Sequence, residues 1–171
     1  DREKNPVTVN GVALGKKLFY EGRLSRNNSI SCGFCHIQEN AFTHHGHPVS
    51  HGIDNRLGIR NAPPIQNMAF LSNYTWDGVS HNLDERSLVP ITTDFEMDSS
   101  MPEVVGKLNT DANYKKLFKA AFGDENITGE RVLKAISQFM ATMVSADSKY
   151  DQVKKGKRHN LPVLGLKEET S

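Results

Sequence analysis

Cysteine is nearly absent: the 171 residues hold two, Cys32 and Cys35. Two thiols three positions apart exclude the disulfide framework of a small secreted fold. Long apolar runs are missing as well, and no stretch approaches the ~20 residues of a helical membrane span. Charge of one sign does not dominate, with 21 Lys and Arg against 20 Asp and Glu. That balance gives no basic field for nucleic acid. Hydrophobic residues make up 37%, lean for a chain whose length suits a single domain. A large apolar cofactor would supply core that the side chains do not. There is one Trp, no internal repeat and no low-complexity block. The first residue is Asp1 rather than Met, which reads as a processed chain whose export signal is gone.

Helical periodicity accounts for most of what is present. Val12, Leu14, Leu18 and Phe19 fall near one face of a short helix over 11–20. Gly22 and Asn27-Asn28 then mark turns. The stretch Ile37–Arg60 is punctuated by glycine and proline and carries four histidines. It reads as an ordered irregular loop, and loops of that length are usually functional. Pro63-Pro64 predict a short helix carrying Ile65, Met68 and Phe70, with Pro64 in its first turn. Asn82 or Ser80 would cap a helix through Leu83, Leu88 and Ile91. Ser99 or Ser100 precedes Met101, Val104, Val105 and Leu108. Asp111 caps a helix with Tyr114, Leu117, Phe118 and Phe122, ended by Gly123. Thr128 opens the strongest pattern, from Val132 to Val144. No strand pair is visible, so the predicted fold class is all-α with long irregular loops around a cofactor.

The segment Cys32-Gly-Phe-Cys35-His36 has a definite chemical use. Two thiols can add to the vinyl groups of a haem, and the adjacent imidazole then supplies the proximal iron ligand. Three other readings compete. A thioredoxin-like redox pair needs a βαβ setting, which the periodicity does not offer. A zinc site needs four ligands and would recruit a histidine from 44–51. A buried disulfide leaves His36 unexplained.

The run LGKKLFYEGRLSRNNSISCGFCH (Leu14–His36) resembles the opening of bacterial di-haem cytochrome c peroxidases and their MauG relatives. The similarity continues in order through Ala41-Phe42-Thr43, Pro48-Val-Ser-His-Gly52, Arg60-Asn-Ala-Pro63, Trp76-Asp-Gly78, Asn82-Leu-Asp-Glu, Pro90-Ile91 and Phe95-Glu-Met97. It covers residues 12–157, about the N-terminal haem domain of that family. Each piece is short, and their order and spacing make the set specific.

The resemblance implies a cytochrome c-like domain over 1–157 with one covalent haem c, and a tail or linker over 158–171 leading toward a second haem domain. Cys32 and Cys35 would attach the haem and His36 would be the proximal ligand. His51 aligns with a removable distal ligand. Glu96 matches the distal acid-base group, since peroxide must lose a proton from one oxygen and deliver it to the other. Pro90 matches a pocket-lining proline, Trp76 an electron relay, and Asn61 a side chain that binds calcium between the two domains. Blander readings stand beside these. His44, His45, His47 and His51 could be solvated loop residues, Glu96 an exposed member of the acidic turn Asp94–Asp98, Trp76 a core aromatic, and Asn61 a turn residue.

Two positions depart from the family pattern. An apolar or small residue, Val79 or its neighbour, stands where an arginine is usual after Trp76-Asp77. Arg86 stands where a distal glutamine is usual. Arg86 could stabilise charge on a leaving oxygen, or serve as a surface cation. The leading expectation is a peroxidase-type haem domain that reduces hydrogen peroxide or uses it to oxidise a partner, with a second haem domain or redox protein exchanging electrons. A non-catalytic electron-transfer subunit and a peroxide-sensing module are the other readings. Haem attachment of this type takes place outside the cytoplasm, so a periplasmic or otherwise exported protein is expected.

Overall fold

A computed structural model describes residues 3–74 and 82–156. Trp76, Val79 and the 158–171 tail lie outside the described residues. Helix α1 (Val9–Phe19) opens at Thr8, whose hydroxyl accepts from the Gly11 N–H. A single helical turn, α2 (Cys32–Cys35), carries the two cysteines. The next helices are short: α3 (Leu83–Arg86) and α4 (Leu88–Thr92). Longer ones follow: α5 (Met101–Asn109), α6 (Ala112–Phe122) and α7 (Gly129–Ala141). Last comes α8 (Lys149–Lys154). Ser100, Asp111 and Thr128 cap α5, α6 and α7 as their sequence positions predict. Among the described residues β-structure is limited to two isolated antiparallel bridges, Ile37 with Thr43 and His51 with Leu57. The all-α class with irregular loops is therefore the observed one.

α1 crosses α7 and packs also on α6. The crossing is close because Gly15 has no side chain: a Cβ there would lie 1.9 Å from the Ala135 carbonyl oxygen. Around it Leu14, Leu18, Phe19, Val104, Leu108, Tyr114, Phe118, Val132 and Ile136 are shut from solvent. Each such side chain contributes about 1.5–3 kcal/mol of transfer free energy. A buried polar knot fastens the N-terminal segment to this frame. Asn5 Nδ2 donates to Asp84 Oδ1 (2.7 Å) and Ser137 Oγ (2.9 Å), while Gln138 Nε2 donates to Asn5 Oδ1 (2.8 Å). The knot joins α3 to α7 and so fixes where Arg86, the last residue of α3, can reach.

Three local expectations need correction. Pro63–Phe70 forms no α-helix, only a 3₁₀ turn at Met68–Phe70. Asn67 before it is left-handed (φ 60°), and is held there from the far end of α7: its N–H donates to the Met143 carbonyl and its Oδ1 accepts from the Ser145 N–H. The helix expected through Leu83, Leu88 and Ile91 is broken at Ser87 into α3 and α4. Pro90 has no N–H to offer the Arg86 carbonyl, so a continuous helix would lose a bond there. The α7 pattern reaches Val144 in sequence, but the helix ends at Ala141. Met143 is still buried beyond it.

Candidate functional site

The cysteine turn is placed by chain geometry. Residues three apart share a helix face, so one turn presents both thiols together, and the His36 N–H closes the turn onto the Cys32 carbonyl (3.0 Å). Both cysteines are free and half-buried. Burial pushes the Cys32 thiol up to about 12 and the Cys35 thiol up to about 11, with Cys35 adding to the first and Glu96 to the second. A redox-active Cys-X-X-Cys pair has the opposite property, a depressed thiol.

His36 is oriented by an unusual piece of backbone. Ala41 and Phe42 are both left-handed (φ 58° and 55°), a conformation costing roughly 1–2 kcal/mol per non-glycine residue. The reversal carries the Phe42 N–H to the Ile37 carbonyl (2.9 Å) and the Phe42 carbonyl to His36 Nδ1 (2.9 Å). A carbonyl only accepts, so Nδ1 carries the proton and Nε2 is left as the basic nitrogen. Burial holds His36 below its ordinary value, which keeps it neutral at physiological pH. A neutral imidazole with its other nitrogen tied to a carbonyl is the usual form of a metal-ligating histidine.

Cys32, Cys35 and His36 open onto a cavity of about 520 Å³, within the ~300–1,000 Å³ range of cofactor sites. Its walls are mainly apolar, with Ile30, Ile65, Met68, Met97 and Met140 all buried. Two thiols and one imidazole at the edge of an apolar chamber suit a large, flat, apolar macrocycle. They are a poor match for zinc: among the described residues no three His, Cys, Asp or Glu side chains are placed to hold a metal ion.

The other sequence candidates line the same cavity: His51, Asn61, Arg86, Pro90 and Glu96. His51 donates from Nδ1 to Asn55 Oδ1 (2.9 Å), leaving its Nε2 unengaged by that bond, and its carbonyl accepts from the Cys35 thiol (3.6 Å). Glu96 is half-buried, not an exposed turn residue. Burial raises its carboxyl, and the nearby Arg86 guanidinium works against that rise. Arg86 Nε donates to the Tyr74 carbonyl (2.9 Å), so the side chain is directed inward rather than along the surface. The Pro90 carbonyl accepts from the Met97 N–H (3.1 Å), which closes the turn that carries Glu96.

Sequence reading missed three features. One is the Phe42 carbonyl, invisible because nothing in Ala-Phe signals a left-handed pair. Another is the imidazole series His44–His47–His51, with ring centroids 4.8 and 4.6 Å apart. His45 and His47 are exposed as expected. His44 is half-buried, and its Nδ1 has no hydrogen-bond partner among the described residues. The third is Gly52. A Cβ there would fall 2.1 Å from the Phe95 carbonyl oxygen and 2.6 Å from Glu96 Cα. The His51 loop thus lies backbone to backbone on the Glu96 turn, joined by the Ile53 N–H to the Glu96 carbonyl (2.7 Å).

Fold and site together define an all-α, cytochrome c-like domain. Residues 9–159 match the family described as di-haem cytochrome c peroxidase. The methylamine utilization protein MauG of Methylophilus methylotrophus is 34% identical over 148 residues, 86% of this chain and 44% of that protein. The cytochrome c peroxidase Ccp of Escherichia coli K12 is 32% identical over 160 residues, 93% of this chain and 34% of that protein. A solved MauG-like protein associated with microbial copper homeostasis superposes with a TM-score of 0.86 at 34% identity. The match covers 94% of this chain and 48% of that one. The chain belongs to the di-haem cytochrome c peroxidase family, whose members carry haem c, and it spans less than half the length of these relatives.

Proposed function

We propose that this chain is the peroxide-reacting haem domain of a peroxidase-type oxidoreductase. The observation that carries the reading is one cavity uniting two free thiols, a neutral His36 oriented by Phe42, and a half-buried Glu96 with Arg86 nearby. Cys32 and Cys35 would hold haem c through two thioether bonds and His36 would ligate it. Bound there, haem supplies the redox-active iron at which hydrogen peroxide is reduced.

The chain's own residues supply the proton chemistry. Glu96, as carboxylate, takes the proton from one peroxide oxygen and returns it to the departing one. The Arg86 guanidinium would offset the charge that develops on the departing oxygen as that proton arrives, and its field works against the rise that burial imposes on the Glu96 carboxyl. Apolar walls limit water and strengthen both effects. Converting hydrogen peroxide to two waters takes two electrons and two protons. One haem gives up electrons singly, so a second redox centre, on another domain or protein, completes the reaction. Trp76 is the candidate relay toward it. The reading places the protein in the periplasm.

Glu96→Gln tests the assignment, because it keeps the shape and removes the base. The peroxide-induced absorbance change of the haem-loaded protein should slow by about 10²–10⁴-fold. A loss below about threefold rejects the role. One observation favours a second reading. Asn55 fixes His51 with Nε2 available, which suits a permanent sixth ligand and an electron-transfer subunit without catalysis. A ferric spectrum that stays low-spin with peroxide present would select that reading.

A further inference from the structure

Four charges encircle the junction between the His51 loop and the Glu96 turn. Arg26 pairs with Asp54 (2.6 Å) and Asp98 (3.1 Å); Arg56 pairs with the same two acids, at 3.6 and 3.1 Å. The signs alternate around a closed ring. Arg56 Nη1 also donates to the Asp94 carbonyl (2.7 Å), two residues from Glu96. The ring joins three separate segments: the approach to the cysteine turn, the loop after His51, and the turn holding Glu96.

Backbone bonds run parallel to the ring. The Arg26 N–H donates to the Met97 carbonyl (3.0 Å), the Ile53 N–H to the Glu96 carbonyl (2.7 Å) and the Gly52 N–H to the Arg56 carbonyl (2.8 Å). Both acids occupy left-handed backbone, Asp54 at φ 52° and Asp98 at φ 48°. Such positions persist where their surroundings over-determine them. Here each acid meets both guanidinium groups.

We infer that Arg26, Asp54, Arg56 and Asp98 form an ionic clamp that holds His51 and Glu96 in fixed register over the cavity, with Arg56 as its chief positioning residue. None of the four lines the cavity, so the clamp acts through the two segments it joins. Its members are about a third to a half exposed, with side-chain exposures between 29 and 47%. Mobile ions therefore reach it, and at ~1 M salt, where the screening length falls to about 3 Å, its grip weakens. The distal site would be tight at low ionic strength and looser at high. The idea deepens the peroxide reading but is measured independently of it.

The test uses the haem-loaded full chain. Deuterium uptake over residues 52–56 and the ferric low-spin fraction are recorded at ~10 mM and ~1 M NaCl. Arg56→Met should speed uptake about three- to tenfold at low salt, the range for one or two partly exposed pairs. It should also shift the low-spin fraction, and both differences from the parent should shrink at high salt. Arg56→Lys, which keeps the charge without the fork, should fall between. Asp98→Asn keeps a residue tolerant of left-handed backbone and removes one charge, so it serves if Arg56→Met fails to fold. Parental uptake and spin state in Arg56→Met and Asp98→Asn at both salts, or a parent insensitive to salt, would overturn the clamp. Salt-dependent uptake with an unaffected Glu96→Gln peroxide rate would leave the clamp standing and reject only the proton role of Glu96.

Discussion

Adding one methyl group at Gly52 should damage both stability and the distal site. The new Cβ would sit 2.1 Å from the Phe95 carbonyl oxygen and 2.6 Å from both Glu96 Cα and the Glu96 carbonyl oxygen. Ordinary contacts begin near ~3.5 Å. All three neighbours are backbone atoms, so relief requires the two segments to part by more than an ångström. The bond from the Ile53 N–H to the Glu96 carbonyl, now 2.7 Å, cannot survive that movement. Stranding the partners costs about 1–3 kcal/mol, and overpacking costs about 1–3 more. A total of about 2–6 kcal/mol lowers the melting temperature by roughly 4–24 °C at the ~2–4 °C per kcal/mol expected for this chain length. Thermal melts of the haem-loaded protein measure it. Gly106→Ala is the control: a Cβ there meets nothing within 4 Å, and alanine favours the helix by up to ~1 kcal/mol. A Gly52→Ala melt within about 2 °C of the parent would refute the tight docking of the two segments.

Denaturation and acid-organic extraction should leave the protein coloured, with intact mass raised by one haem; Cys32→Ala with Cys35→Ala should give colourless protein. His51→Gly should convert low-spin ferric haem to high-spin and quicken peroxide binding, whereas an unchanged spectrum would return His51 to the loop. The second-order peroxide rate should fall on the acid side, because the proton-accepting form of Glu96 is the carboxylate. Burial raises that carboxyl and Arg86 opposes the rise, so the acid limb should lie above the usual ~4.3 and move higher still in Arg86→Gln. An acid limb unmoved in Arg86→Gln would separate the two residues. Gly15→Ala, which drives a Cβ into the Ala135 carbonyl, should loosen the α1–α7 crossing and lower the melting temperature without removing the haem.

The helical frame could be read in the chain because its signals are local. Thr128 before an apolar period of three and four, or Asp111 before Tyr114 and Phe118, needs no tertiary context. The cysteine turn was legible for the same reason, since both thiols and the imidazole lie within five consecutive residues. The missed features depend on contacts across long separations. Asn67 is held left-handed by Met143 and Ser145, so Pro63–Phe70 could not be told from a helix start by local pattern. Gly52 looks like loop punctuation until Phe95 and Glu96 come against it. The charges at 26, 54, 56 and 98 are scattered among 37 others and have meaning only as a ring. The resemblance supplied Glu96 and His51, and the cavity then brought them to the cysteine turn.

The central claim is that hydrogen peroxide reacts at a haem held in this cavity. Its most direct measurement is rapid mixing of ferric, haem-loaded protein with one equivalent of hydrogen peroxide while the haem absorbance is followed. A single rapid change is expected that consumes the equivalent, reverses when an electron donor is added, and slows about 10²–10⁴-fold in Glu96→Gln. A spectrum that does not move, with the peroxide recovered intact, would contradict it.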